Sequence, residues 1–112
     1  MQDKANIDKI RYELVEIASS MLAGKVHVIS GIRQLNKLRL QFDKDERESP
    51  LFHLVIGIDS DTHMFPLEDE PELRSKVSPE RLGETDAEIE DTIAFYKEDI
   101  LKTCHLIVEK YS

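Results

Sequence analysis

Along most of this chain the hydrophobic residues recur at the three-and-four spacing of an α-helix. From Ile7 to Leu22, Ile7, Ile10, Leu14, Ile17 or Ala18, and Met21 form one apolar stripe, which predicts an amphipathic helix. Ala23-Gly24 follows, where glycine can take the left-handed conformation that closes a helix. A second helix is expected from about Val26 or Val28 to Leu40. Val28, Ile32, Leu35 and Leu38 make its stripe, Ile29 widens it, and Arg33, Lys37 and Arg39 lie toward other faces. Gly31 within it either weakens the helix or lets another element come close. The strongest periodic signal comes last. Ile89, Ile93, Tyr96, Ile100, Cys104, Ile107 and Tyr111 are spaced four, three, four, four, three and four apart, predicting a long helix from about Thr85 or Asp86 to Lys110. Ser78-Pro79-Glu80, just upstream, is a helix-start signature that would open one turn ending near Gly83.

The middle of the chain is less regular. Asp43 to Glu48 reads as a solvated loop. Ser49-Pro50 is a good helix start, and SPLFHLVIGI (49–58) is expected to be a short buried helix, although an apolar run with β-branched residues also fits a buried strand. Residues 59–77 are expected to be a long irregular stretch broken by Pro66 and Pro71, and loops of that length often carry function. The expected fold is therefore all-α: a single domain over residues 1–112, built as a compact bundle of about four helices with a long acidic loop before the last. The alternative is α+β with residues 51–58 as a strand.

Charge changes this picture more than composition does. The net charge is −8, and it is uneven. Residues 1–47 hold nine Lys/Arg and seven Asp/Glu, whereas residues 48–112 hold six and sixteen. The strongly acidic second part repels nucleic acid, whose binding needs cationic side chains to neutralise phosphate. It suits a basic partner, or simply keeps the protein soluble. The acids at the start of the last helix also have a structural cause, because the helix dipole favours negative charge there. The single cysteine, Cys104, excludes an internal disulfide and favours a reducing compartment. With no apolar leader and no membrane-length apolar run, the expected location is the cytosol.

No pattern of side chains announces catalysis. Asp59-Ser60-Asp61 after an apolar run has the look of an aspartyl phosphotransfer nucleophile, which needs a second carboxylate as acid/base. It lacks the large α/β domain and magnesium site of that chemistry, and such residues more often organise a turn. Read as a calcium loop, the segment has Met64 where the sharp turn needs glycine. The four histidines do not pair at helical spacing with one another or with Cys104, so neither a metal site nor a cofactor is expected. Cys104 lies on the apolar stripe, where a buried inert thiol is expected.

At IGIDSDTHMFPLEDEPELRSKVSPERL, followed by DAEIEDTIAFYKEDILKTCHLIVEKY, the chain resembles a group of small bacterial proteins of similar length. The common features are an apolar-IDS-acid-Thr centre with a proline further on, an earlier helix like LAGKVHVISGIRQLNKLR, and an amphipathic C-terminal helix. The resemblance covers most of the chain. No activity is established for that group, so the resemblance assigns no functional residue. Asp61 and His63 stand within the common centre.

The functional expectation is a non-enzymatic binding protein, most specifically an immunity or antitoxin-like inhibitor of a basic, nuclease-type bacterial toxin. Its contact residues would be Asp59, Asp61, Glu68, Asp69, Glu70 and Glu72, with Phe65 as an apolar anchor: anchors supply affinity and charges supply steering. The plainer alternative is a solvated loop with Phe65 and Leu67 tucked into the core. Two other classes stay open: a regulatory or structural helical domain that dimerises through Leu101, Leu106 and Val108 of the last helix, and a small metal-dependent hydrolase using Asp59, Asp61 and His63.

Overall fold

Each of the strong apolar stripes becomes the buried side of a helix. The structure, a computed structural model, describes residues 3–67 and 70–112. Its elements are α1 (Lys4–Leu22), α2 (Val28–Arg39), the single turn α3 (Lys44–Arg47), a 3-10 turn (Pro50–Phe52) running into α4 (His53–Thr62), the single turn α5 (Pro71–Arg74), and α6 (Pro79–Tyr111). No strand occurs among the described residues. The fold is all-α, carried by four helices of ten or more residues, and residues 51–58 are helical rather than a strand. That run is apolar on several sides because α4 packs against both α2 and α6.

Local signals explain most boundaries. Gly24, at φ +73°, closes α1 in the left-handed region, where a Cβ would be strained. Ser49 accepts the Leu51 N–H and Ser78 accepts the Arg81 N–H, each with proline at the first helical position. His27 opens α2, its Nδ1 accepting the Ile29 N–H. Gly31 admits a close neighbour: a Cβ there would lie 2.5 Å from Met21 Cγ and Sδ, so the Met21 side chain packed over it would have to shift.

Three boundaries differ from the expectation. α4 does not stop at Ile58 but runs on to Thr62, so Asp59 and Asp61 are helical. Its buried side continues through Val55, Ile58 and Thr62, and the Thr62 hydroxyl donates to the Ile58 carbonyl at 2.7 Å. The chain leaves the helix only ahead of Pro66, whose ring disfavours helical backbone at the residue before it. α6 begins at Pro79 and carries Gly83 inside it. One interior glycine costs about 1 kcal/mol, too little to break a helix that is capped by Ser78 and buries Thr85 and Ile89. The DKDERE stretch is also no plain loop, since α3 forms there and makes contacts of its own.

Thirty-three residues at about 1.5 Å each make α6 about 50 Å long, and the molecule's longest dimension is 48 Å. α1 packs on α6 and on α2, α2 on α4, and α4 back on α6, closing a ring of four helices. One cluster of buried side chains fills it, with Leu14, Ile29, Leu35, Phe52, Val55 and Ile107 fully enclosed. Burying a side chain of that size contributes about 1.5–3 kcal/mol. At one end of the ring, Phe42 and Phe52 stack on Tyr111 with ring centroids 5.7 and 6.2 Å away. The α3 turn clamps this end, because Glu46 accepts the Tyr111 hydroxyl at 2.5 Å and pairs with Lys110 at 2.9 Å. The Tyr111 hydroxyl holds the Glu46 carboxyl below its ordinary value, against the opposing effect of burial. Burial, reinforced by Glu46, pushes the Tyr111 phenol well above its usual range.

Candidate functional site

The acidic stretch divides into carboxylates used internally and carboxylates left in solvent. The division comes from α2, which turns Arg33, Asn36 and Arg39, three residues apart, toward α4 and the chain after it. Arg33 reaches three partners. Nη2 donates to the carbonyls of Thr62 and Phe65 at 2.7 and 2.9 Å, and Nη1 donates to Glu70 at 2.9 Å. The same Glu70 oxygen accepts the Leu67 N–H at 3.0 Å. A guanidinium is well suited to this place, since the end of α4 carries the negative end of its dipole and the Thr62 carbonyl, which already accepts the Phe65 N–H at 3.0 Å, has a second lone pair to offer. Asp59 is engaged in a second set of contacts. It accepts from Asn36 Nδ2, whose own side-chain oxygen accepts from Arg39 Nε at 2.6 Å, and Arg39 Nη1 donates to the Arg47 carbonyl at 3.1 Å. Burial, with Arg47 nearby, lowers the Arg39 guanidinium from its ordinary value, but arginine stays charged throughout the accessible pH range.

α5 and α6 are tied in the same way. Arg74 grips Asp86 with two bonds of 2.9 Å and donates to the Pro66 carbonyl at 3.2 Å. The Arg74 hydrogen bonds hold the Asp86 carboxyl below its usual value. Sequence reading assigned Arg33 and Arg39 to faces away from the core and gave them no role. The signal available was their spacing: three-residue steps from Arg33 through Asn36 to Arg39 keep to one side of a helix.

The residues expected to form a contact surface are therefore dispersed. Asp59 and Glu70 are half-buried and serve α2. Asp61 and Glu72 are exposed, and Phe65 is half-buried. Glu68 and Asp69 lie outside the described residues. Leu67 is buried in the core, whereas Met64 is 80% exposed. Asp59 and Asp61 are two apart on a helix and so project about 200° from each other. They do not face a common substrate, and His63 directs Nδ1 at the Ser60 carbonyl, 2.8 Å away. Among the described residues, no three His, Cys, Asp or Glu side chains are grouped so as to hold a metal ion. Cys104 is buried against Met21, and burial pushes its thiol up to about 11, which keeps it protonated at neutral pH.

A different surface emerges on the outer side of α6. Glu84, Glu88, Asp91, Phe95 and Glu98, spaced four, three, four and three apart, share one face, and all are exposed. Phe95 is 80% exposed, its ring meeting Tyr96 edge-on at 4.8 Å. Apart from that contact the ring stands in water amid four carboxylates. Sequence reading noted the acids only as companions of the helix dipole and did not single out Phe95.

In comparisons with known proteins, no family model, no curated protein and no solved structure matches the chain. No helix of the described residues is long and apolar enough to cross a membrane.

Proposed function

We propose that this chain is a non-enzymatic binding protein that neutralises a basic protein partner, as an immunity protein or antitoxin holds a nuclease-type toxin. The observation that carries this reading is the outer face of α6, where Phe95 stands 80% exposed between Asp91 and Glu98, with Glu88 and Glu84 beyond. A nuclease must carry a cationic groove for phosphate, and carboxylates can fill that groove in place of the substrate. Charges of this kind speed encounter, while a central aromatic anchor slows dissociation. On this reading Phe95 takes the anchor role first expected of half-buried Phe65. Asp61 and Glu72 add exposed negative charge, and Asp59 and Glu70 act within the fold instead.

The test is affinity capture with the tagged chain from its native host. A basic protein should be retained at low salt and released steeply as salt rises. Phe95→Ser and the double reversal Glu88→Lys with Asp91→Lys should each abolish retention without loss of helicity. Failure to retain any basic protein, or retention indifferent to salt, would refute the reading.

A further inference from the structure

Five carboxylates among the described residues are half-buried, and four of them are matched within the fold. Glu46 meets Tyr111 and Lys110, Asp59 meets Asn36, Glu70 meets Arg33, and Asp86 meets Arg74. The fifth, Glu13 on α1, makes no hydrogen bond or ion pair with a described residue. A carboxylate drawn partly out of water without a partner costs free energy, so the group calls for an explanation outside the packing of the fold. Glu13 lines an open groove of about 510 Å³ between α1 and α2, within the span of about 300–1,000 Å³ usual for small-molecule sites. Ile17, half-buried, and Leu38, buried, are its apolar lining. Tyr12 lines it too, its phenol donating to Glu16 at 3.1 Å. From the α2 side come Gln34 and Lys37, both exposed and both without a partner among the described residues. One helix thus brings negative charge to the groove and the other brings positive charge, and Glu13 and Lys37 do not close on each other as an ion pair.

We propose that this groove binds a small zwitterion, a free α-amino acid with an apolar side chain. Its ammonium pairs with Glu13, and its carboxylate takes Lys37 and the Gln34 amide. Its side chain lies on Ile17 and Leu38 beside the Tyr12 ring, which has an apolar body to offer and a phenol already engaged with Glu16. The charges on the two sides select this class. A plain cation is set against Lys37, and a plain anion is set against Glu13 and Glu16, whereas a molecule carrying both charges is favoured by both helices. None of these residues belongs to α6, so the proposal does not depend on the basic-partner reading.

The decisive measurement is an NMR titration of the isotope-labelled full chain with L-leucine, L-methionine and L-phenylalanine, each raised to millimolar concentration. At least one should bind saturably, moving the amide signals of residues 12–17 and 34–38 and leaving those of residues 95–109 in place. The amide of the best binder, which lacks the carboxylate, and its analogue without the amino group should each bind about tenfold more weakly. Lys37→Gln should weaken the amino acid by a similar factor and leave its amide unaffected, whereas Glu13→Gln should weaken both. Glu13→Gln should also leave thermal stability equal or higher, because a neutral amide replaces an unmatched charge; a carboxylate kept for structure would give a loss instead. No saturable shift with any of the three amino acids overturns the proposal. So does binding that is indifferent to either charged group of the ligand, which would make the groove a merely apolar one, or a Glu13→Gln chain that binds as the wild type does.

Discussion

The two halves of α6 obey the same periodicity and live in different surroundings. From residue 97 on, Ile100, Cys104, Ile107 and Tyr111 are buried against α1 and the aromatic cluster. Before it, only Thr85 and Ile89 are buried, while Ile93 and Tyr96 are half-covered. The cause is length. α1 has nineteen residues, about 28 Å against about 50 Å for α6, and it meets the C-terminal part of α6, Arg11 reaching Lys110 and Met21 meeting Cys104. Ahead of it, the Arg74–Asp86 grip ties the first turns of α6 to α5. A helical stripe thus tells which side of a helix is covered but not how far the cover extends, and the surface proposed for a basic partner lies where it thins.

The largest expected effect sets the two halves directly against each other. Ile107→Ala, at a fully enclosed position, should cost about 3–4 kcal/mol in urea unfolding, because transfer and cavity terms add. Ile93→Ala, one side of which already meets solvent, should cost about 1 kcal/mol. Equal losses would mean that the two halves are equally well packed. Next is Arg33→Ala, which removes a largely buried guanidinium from two carbonyls and Glu70. A loss of about 2–3 kcal/mol is expected from charge-assisted bonds of this kind, together with loosened protease protection around residues 63–67. An intact stability would show that Arg33 does not secure that segment.

A smaller effect comes on acidification, with one carboxylate in each half. Glu46 and Asp86 have folded-state values held below the ordinary 4.5 and 3.8. Their stabilisation is present above those ordinary values and is lost as pH falls through the lowered ones. Stability should therefore decline below about pH 4.5, and Glu46→Gln and Asp86→Asn should each flatten part of that decline. Both side chains are 40% exposed, so solvent screening keeps each contribution modest. An acid limb unchanged in both variants would remove these two groups as its cause. The smallest effect on stability is Phe95→Ser, within about 0.5 kcal/mol for an exposed site. A substantial loss would show that the ring packs in solution and would take away its role as an anchor.

Much of the fold was legible because burial and helix geometry leave marks in the order of residues. The stripes of α1, α2 and the C-terminal half of α6, the cap residues Ser49 and Ser78, and the closure at Gly24 all follow from spacing and backbone preference. The end of α4 was not legible, since a mixture of polar and apolar residues such as IDSDT (58–62) suits a helix end and a turn equally. Thr62 reads as polar in the chain and is nevertheless 1% exposed, because its hydroxyl is satisfied by its own helix. The candidate site was less legible still. Acidity by itself did not distinguish Asp59 and Glu70, which meet Asn36 and Arg33, from Asp61 and Glu72, which meet water.

The sequence alone determined that this protein is helical, where most of its helices start, and which side of each turns inward, because those choices rest on neighbours within a few residues. Only the tertiary structure decided which carboxylates are consumed within the fold and which side of α6 is left bare. The reason is distance along the chain: Arg33 finds Glu70 across 37 positions and Tyr111 finds Glu46 across 65. No local pattern encodes such a meeting. It exists only once four helices have closed around one core.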